Sequence, residues 1–443
     1  MAAVGLSEHF TYKKLMKFVA PCIAMMIVTS IYSIVDGFFV SNYAGKNAFA
    51  AVNLIMPVLM GLAAFGFMIG TGGSALVAYT LGTGDKKKAN EIFSMLMELI
   101  IGVGFMLAAA GIVLMPRIVG MLGASEVIFA DCVLYGRILL AALPFFMMQN
   151  SFQSFLTVAE HAHLGLLITI ATGVLNMILD FVFVFQFHWG IAGAGFATAI
   201  SQILGGVIPF VFFVRKNPSP LRFTLTKLDF VPIGKACANG SSEMMTNLAQ
   251  SVVGILYNFQ LMKYAAENGV AAYGVVMYVS FIFVAVYFGY AIGIGPVVGY
   301  HYGAGNKAEL KNLLHKSLVM DLISALVMLF FGEVLAGPIA RVFVGYDQEL
   351  LTLTTKALRL YSFSFLLNGF NIFGSAFFTG LNNGKVSAII SVLRTLVIEV
   401  AAILILPMIF GINGIWCAIV VAEGVTLFIT TGFLLGNRKK YGY

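Results

Sequence analysis

The sequence predicts an all-α polytopic membrane protein: twelve transmembrane helices in two six-helix lobes related by a parallel internal repeat. Three observations lead there. Of the 443 residues, 60% are hydrophobic and 10% are charged, against roughly 45–50% and 25% in soluble domains, and the mean hydropathy is +0.96. The chain separates into twelve apolar stretches, each near the roughly 20 residues that a bilayer requires. It also matches itself at one constant offset.

The expected spans are 17–42, 49–78, 92–115, 133–157, 165–187, 190–214, 238–263, 270–299, 313–337, 354–378, 386–408 and 411–436. Connections this short leave no room for a fused ATPase domain. The first stretch is too long for a signal-peptide core and no small-residue cleavage site follows it, so it is expected to remain as the first helix. Lys and Arg gather in the termini and the even-numbered loops, at Lys13, Lys14, Lys86, Lys87, Lys88, Arg215, Lys216, Lys307, Lys311, Arg438 and Lys439. The odd-numbered loops hold few, such as Lys46, Arg117 and Arg341. The positive-inside rule then places both termini in the cytoplasm of a multi-pass cell-membrane protein. The net charge of +7 is spread over these clusters, so it reads as a topology signal and no nucleic-acid partner is expected.

An offset of 221 residues aligns Tyr79, Gly82, Gly84 and Lys86 with Tyr300, Gly303, Gly305 and Lys307. The same offset carries Gly190, Ile191, Gly193 and Ala197 onto Gly411, Ile412, Gly414 and Ala418. Each copy holds an even number of spans, so both enter the membrane in the same direction and are related by an axis along its normal. The expected division is a first lobe over 1–214, a cytoplasmic linker over 215–237 with Pro218, Pro220 and Pro232, and a second lobe over 238–443. A purely structural duplication would look the same. Two lobes that rock about a site between them, however, are the geometry of alternating access.

A carboxylate in a spanning helix costs about 2.5–3.5 kcal/mol on insertion scales and usually marks function. Asp36 lies 19 residues into the first span and Asp180 15 into the fifth; at 1.5 Å per residue both are expected roughly 10 Å from the outer end. Asn176 shares a helical face with Asp180, and Thr198 lies at a comparable depth in the sixth span. Such a group can hold a sodium ion through its oxygens or hold a proton; a bland alternative is that the acids only join helices. The second lobe has Tyr257 opposite Asp36 and Ala401 opposite Asp180, and carries Arg394, Glu399 and Glu423 instead. Arg394 is placed to neutralise one of these glutamates, leaving the other for a cationic substrate or completing a structural cluster. Glu243, at the start of the seventh span, is a further cavity candidate, while Glu98 and Asp321 read as interfacial or helix-pairing acids. The 40 Phe and 22 Met suit a pliable cavity for apolar cations, although most must face lipid or other helices.

Other chemistry finds no support. Cys22, Cys132, Cys237 and Cys417 are far apart and indicate neither disulfides nor a zinc site. The segment from Gly380 to Lys385 falls one residue short of a phosphate-binding loop and lacks its hydroxyl, and the Glu160–His163 segment lacks the order of a zinc-protease motif.

Three strings taken in order carry a likeness: residues 35–40 (VDGFFV), 175–180 (LNMILD) and 190–198 (GIAGAGFAT). On these the chain resembles the multidrug and toxic compound extrusion (MATE) family over nearly its whole length. The resemblance implies a two-lobe, V-shaped secondary antiporter that exports organic cations in exchange for Na+ or H+, with Asp36, Asn176, Asp180 and Thr198 serving the coupling cation. One branch of the family carries further acids in the seventh, eighth and tenth spans, where this chain offers Glu243 alone. The expectation is therefore a monomeric transporter, not an enzyme, with no cofactor beyond the coupling ion and with drug-like cations and membrane lipids as partners. Two rivals remain: a lipid-linked precursor flippase, which would want more buried cations than Arg394, Arg137 and Arg359, and an intramembrane enzyme.

Overall fold

The structure, a computed structural model, describes residues 4–443, and among these there is no strand. The first lobe comprises α1 (Tyr12–Phe39), α2 (Lys46–Gly82), α3 (Lys86–Met121), α4 (Glu126–Val158), α5 (Ala162–Asp180) and α6 (Gly190–Val214). The second comprises α7 (Phe230–Gly303), α8 (Lys307–Val344), α9 (Gln348–Ser362), α10 (Phe365–Gly380), α11 (Gly384–Val392), α12 (Val400–Phe410) and α13 (Ile412–Tyr441). Ten of the helices, some with a π-helical extension, are each long and apolar enough to cross a membrane. One of these, α7, turns back on itself and supplies two spans, and α9 continues into α10 to supply another, which gives the twelve.

The helices overrun the apolar stretches because side-chain caps, rather than hydrophobicity, end them. Thr11 caps α1, Asp85 caps α3 and Asp229 caps α7, each through a side-chain oxygen that accepts an N–H of the first turn, a donor with no partner inside the helix. As a result α7 begins at Phe230, so the non-helical part of the linker covers only 215–229.

The repeat extends to the backbone. Gly84 and Gly305 both have positive φ, at 88° and 68°, as do Gly190 and Gly411, at 56° and 57°. Gly45, between the first two spans at φ 95°, corresponds to Ala266 at φ 48°. There α7 doubles back through non-helical φ/ψ at Ala265 and Ala266, and the rings of Tyr257 and Tyr273 stack across the bend at 4.9 Å.

The lobes touch most closely at the end of the molecule that carries both termini. A methyl group on Gly240 would strike the Met68 carbonyl, one on Gly303 the Tyr79 carbonyl, and one on Gly289 the Ile23 backbone. Small residues allow such backbone approach between membrane helices, where apolar side chains have no water to escape. One buried apolar cluster runs across this seam, from Val77 and Ala78 to Ile294, Val297 and Phe377.

Ala266 occupies a backbone region that favours glycine, which costs about 1–3 kcal/mol. Ala266→Gly is therefore expected to raise the thermal stability of the purified protein by that order, and a lowered melting temperature would show that the bend is not strained.

Candidate cation site and inter-lobe cavity

Four helices of the first lobe bring polar groups to one point. Asp36 comes from α1, Asn176 and Asp180 from successive turns of α5, Thr198 from α6 and Tyr135 from α4. The Asp36 carboxylate neighbours the Asp180 carboxylate and the Thr198 hydroxyl, and Tyr135 lies close to both acids. Asp180 is completely buried and Asn176 nearly so, whereas Asp36 and Thr198 are half-buried and line a cavity with Tyr32, Gln149, Thr172 and Ser201. Protein partners leave the cluster strongly undersatisfied. Oδ1 of Asp36, both carboxylate oxygens of Asp180, both amide atoms of Asn176 and the hydroxyls of Thr198 and Tyr135 are all buried and complete no hydrogen bond. Groups of this kind are normally paired, and two carboxylates this close cannot both stay ionised without a compensating cation or proton. Their carboxylate, amide and hydroxyl oxygens fit a small hard cation as well as they fit a shared proton. Among the described residues no three His, Cys, Asp or Glu side chains converge, so a metal ion here would rest on two acids completed by neutral oxygens.

Both acid-bearing helices change pitch immediately beyond the acids. Helix α1 continues as a π-helix over Val40–Ala44 and α5 as a π-helix over Phe181–Gln186; such segments are rare and concentrate at functional sites. The two are joined by an edge-on contact of Tyr43 with Phe185, at 5.0 Å between ring centres.

In the second lobe the charges pair differently. Arg394 donates from Nε to Glu423 Oε1 at 2.7 Å, and Asn371 donates to Glu423 Oε2 at 2.7 Å and is itself held by the Thr430 hydroxyl at 2.8 Å. Glu423 is thus fully compensated. Glu399 is buried at 7% exposure, and among the described residues its side chain has neither an ion pair nor a hydrogen bond; Glu423, Arg394, Tyr257, Tyr273 and Tyr361 lie in its neighbourhood. A third π-helix, Leu393–Glu399, separates α11 from α12 and carries both Arg394 and Glu399. Arg137 and Arg359 are exposed, bonded respectively to the Ile112 carbonyl and, at 3.9 Å, to Glu333.

Between the lobes lies a cavity of ≈ 160 Å³ bordered by Phe67, Thr71, Glu243, Asn247, Phe288 and Thr379, among others. Glu243 stands well inside α7 rather than at its start, because the Asp229 cap begins that helix 13 residues earlier. Asp321, on α8, is buried near the α7 tyrosines Tyr287 and Tyr290, as a helix-pairing acid would be. Glu98 is half-buried. Sequence reasoning missed Tyr135, a neutral residue in an apolar run; its repeat position is Lys356, and that break in the symmetry was the one available signal.

The MatE family model matches the chain twice, over residues 21–182 and 244–405, one segment in each lobe. The chain belongs to the MatE family. It is 23% identical to the multidrug export protein MepA of Staphylococcus haemolyticus, over 98% of this chain and 95% of that protein. Its fold is similar to that of a multidrug resistance MATE family transporter in an outward-facing conformation, with a TM-score of 0.91, 24% identity and coverage of 98% and 97%. It is equally similar to that of a MOP superfamily transporter from Pyrococcus furiosus described as having a binding pocket of reversed polarity, at 0.90, 24%, 98% and 97%. In this MatE chain the duplicated architecture is thus common to both lobes, while the acids are not.

Arg394 is 13% and Glu423 2% exposed as side chains, so removing one partner leaves the other buried without compensation. Arg394→Met is expected to cost about 3–5 kcal/mol of stability, read by thermal denaturation in detergent, and Arg394→Met with Glu423→Leu to recover most of it. If the single variant were neutral, the pair would not be sequestered.

Proposed function

We propose that this MatE protein is a secondary antiporter that exports organic, often cationic, compounds in exchange for Na+ or H+. The observation that carries the reading is the set of buried, unpaired oxygens around Asp36 and Asp180. A stable scaffold has no use for uncompensated acids, whereas a coupling site needs a charge that is neutral in one state and exposed in the other. Asp36, Asn176, Asp180 and Thr198 hold the coupling cation, with the Tyr135 hydroxyl completing the set. Substrate occupies the inter-lobe cavity, where Glu243 offers a carboxylate and Phe67 and Phe288 offer aromatic faces to a cation. Glu399, ringed by tyrosines, extends the attraction into the second lobe, while Arg394 and Glu423 neutralise each other and serve structure.

The two lobes are residues 1–214 and 238–443, and the protein works as a monomer. Both termini face the cytoplasm, as the loop charges require; the close backbone contacts then seal the cytoplasmic end and leave the cavity to the other side. Cation binding at Asp36 and Asp180 repacks the first lobe and weakens its grip on substrate. An ion shifts the equilibrium only by the difference in its affinity for the two arrangements, and burying versus exposing two acids supplies a large difference.

Asp36→Asn and Asp180→Asn are each expected to reduce ion-driven efflux of a fluorescent cation from proteoliposomes to background, while the protein stays folded and monodisperse. Near-normal efflux by either variant would remove the coupling site. The same vesicles under an imposed sodium gradient, and separately under an imposed proton gradient, are expected to respond to one of the two; a response to neither would defeat the antiport reading.

A further inference from the structure

Residues 5–10, just before α1, form a strap that crosses from one lobe to the other at the end where the lobes meet. On the first-lobe side, the Leu6 N–H donates to Glu160 Oε1 at 2.7 Å; Glu160, in the turn between α4 and α5, adopts a positive φ of 62°. On the second-lobe side, Glu309 at the start of α8 receives the Phe10 N–H at 2.9 Å and pairs with His9 Nδ1 at 2.6 Å. Asn312 and Lys316, along the same face of α8, donate to the Phe10 carbonyl at 3.0 and 2.8 Å. Leu6 and Phe10 are buried at 2% and 0% exposure. The Phe10 ring meets Phe18 of α1 edge-on at 5.8 Å and His301 of α7 at 6.2 Å, so its side chain is wedged between the lobes.

A matching strap runs the other way. The linker that leads into α7 bonds to α3 of the first lobe: Arg222 N–H to Asn90 at 2.7 Å and Thr224 N–H to Ser94 at 2.8 Å. The 221-residue offset carries Asn90 and Ser94 to Lys311 and His315, on the stretch of α8 that receives Phe10. Each lobe's lead-in segment is therefore fastened to the third helix of the opposite lobe.

We infer that the segment from Gly5 to Phe10 is a latch that holds this end of the lobes together and has to leave α8 before they can part. Four residues separate the Leu6 and Phe10 amides, and their reach is at most about 14 Å. The latch thus cannot stretch through a large opening between Glu160 and Glu309. Because Phe10 is followed directly by α1, a first-lobe helix, the bonds that break are those to Glu309, Asn312 and Lys316. The inference rests on the alternating-access reading and adds to it the element that sets the balance between the two openings.

The test uses the full-length protein in lipid nanodiscs, with the four native cysteines replaced and spin labels at Lys87→Cys and Lys311→Cys, exposed positions on opposite lobes. Distances are measured by double electron–electron resonance without any gradient, so the readout does not depend on transport. Glu309→Ala, and independently the double variant Asn312→Ala with Lys316→Ala, which removes both donors to the Phe10 carbonyl, are expected to raise the long-distance fraction about tenfold, the scale expected from losing two or more hydrogen bonds. If the parent interconverts between two distances with ion or pH while both variants keep its ratio, the latch is refuted and alternating access stands. If neither parent nor variants show a second distance under any ion, pH or substrate condition, the lobes do not part here and both readings fall.

Discussion

Two carboxylates facing each other within an apolar lobe set the terms for the rest of this protein. Like charges at such a distance repel strongly where water is scarce, and each oxygen withdrawn from water without a partner costs free energy. The lobe answers with neutral oxygens from Asn176, Thr198 and Tyr135, which can accept or orient a cation but cannot cancel the charge. Neutrality has to come from a bound cation or from a proton, and the antiport proposed above rests on that dependence.

The second lobe meets the same problem in the opposite way. It repeats the helices and turns of the first, yet Glu423 is closed off by Arg394 and Asn371, and Tyr257 stands where the first lobe has Asp36. Gene duplication explains the shared scaffold; the divergence assigns the uncompensated charge to one half. Glu399, near several tyrosines, and Asp321, whose Oδ2 is buried, are the exceptions: among the described residues neither carboxylate has a hydrogen-bonded partner, and both face the same requirement.

A site that responds to an ion needs something bistable to move. The seam between the lobes has that character. Its glycine contacts are backbone against backbone, with no side chain to yield gradually, and its straps are bonded at both ends. Such an interface is either made or broken. In the first lobe, the π-helical turns beyond Asp36 and Asp180 place the least regular backbone within about a turn of the two acids.

Fold class, span number and the duplication were legible in the sequence, because each follows from a local or periodic rule such as bilayer thickness fixing span length; acids in apolar runs, Asp180, Glu399 and Glu423, were conspicuous as well, whereas buried Glu309 was not. Most of the expected spans fell inside the observed helices, which run on to capping residues that hydrophobicity does not register; the span over 354–378 is divided between α9 and α10. What only the tertiary structure decided was who stands beside whom. Tyr135 is one neutral residue among many apolar ones, Arg394 had two glutamates to choose between, Glu243 stands well inside α7 instead of at its start, and Phe10 lies on α8 some 300 residues away. These are contacts between segments remote in sequence, fixed by how whole helices pack, and no local pattern encodes them.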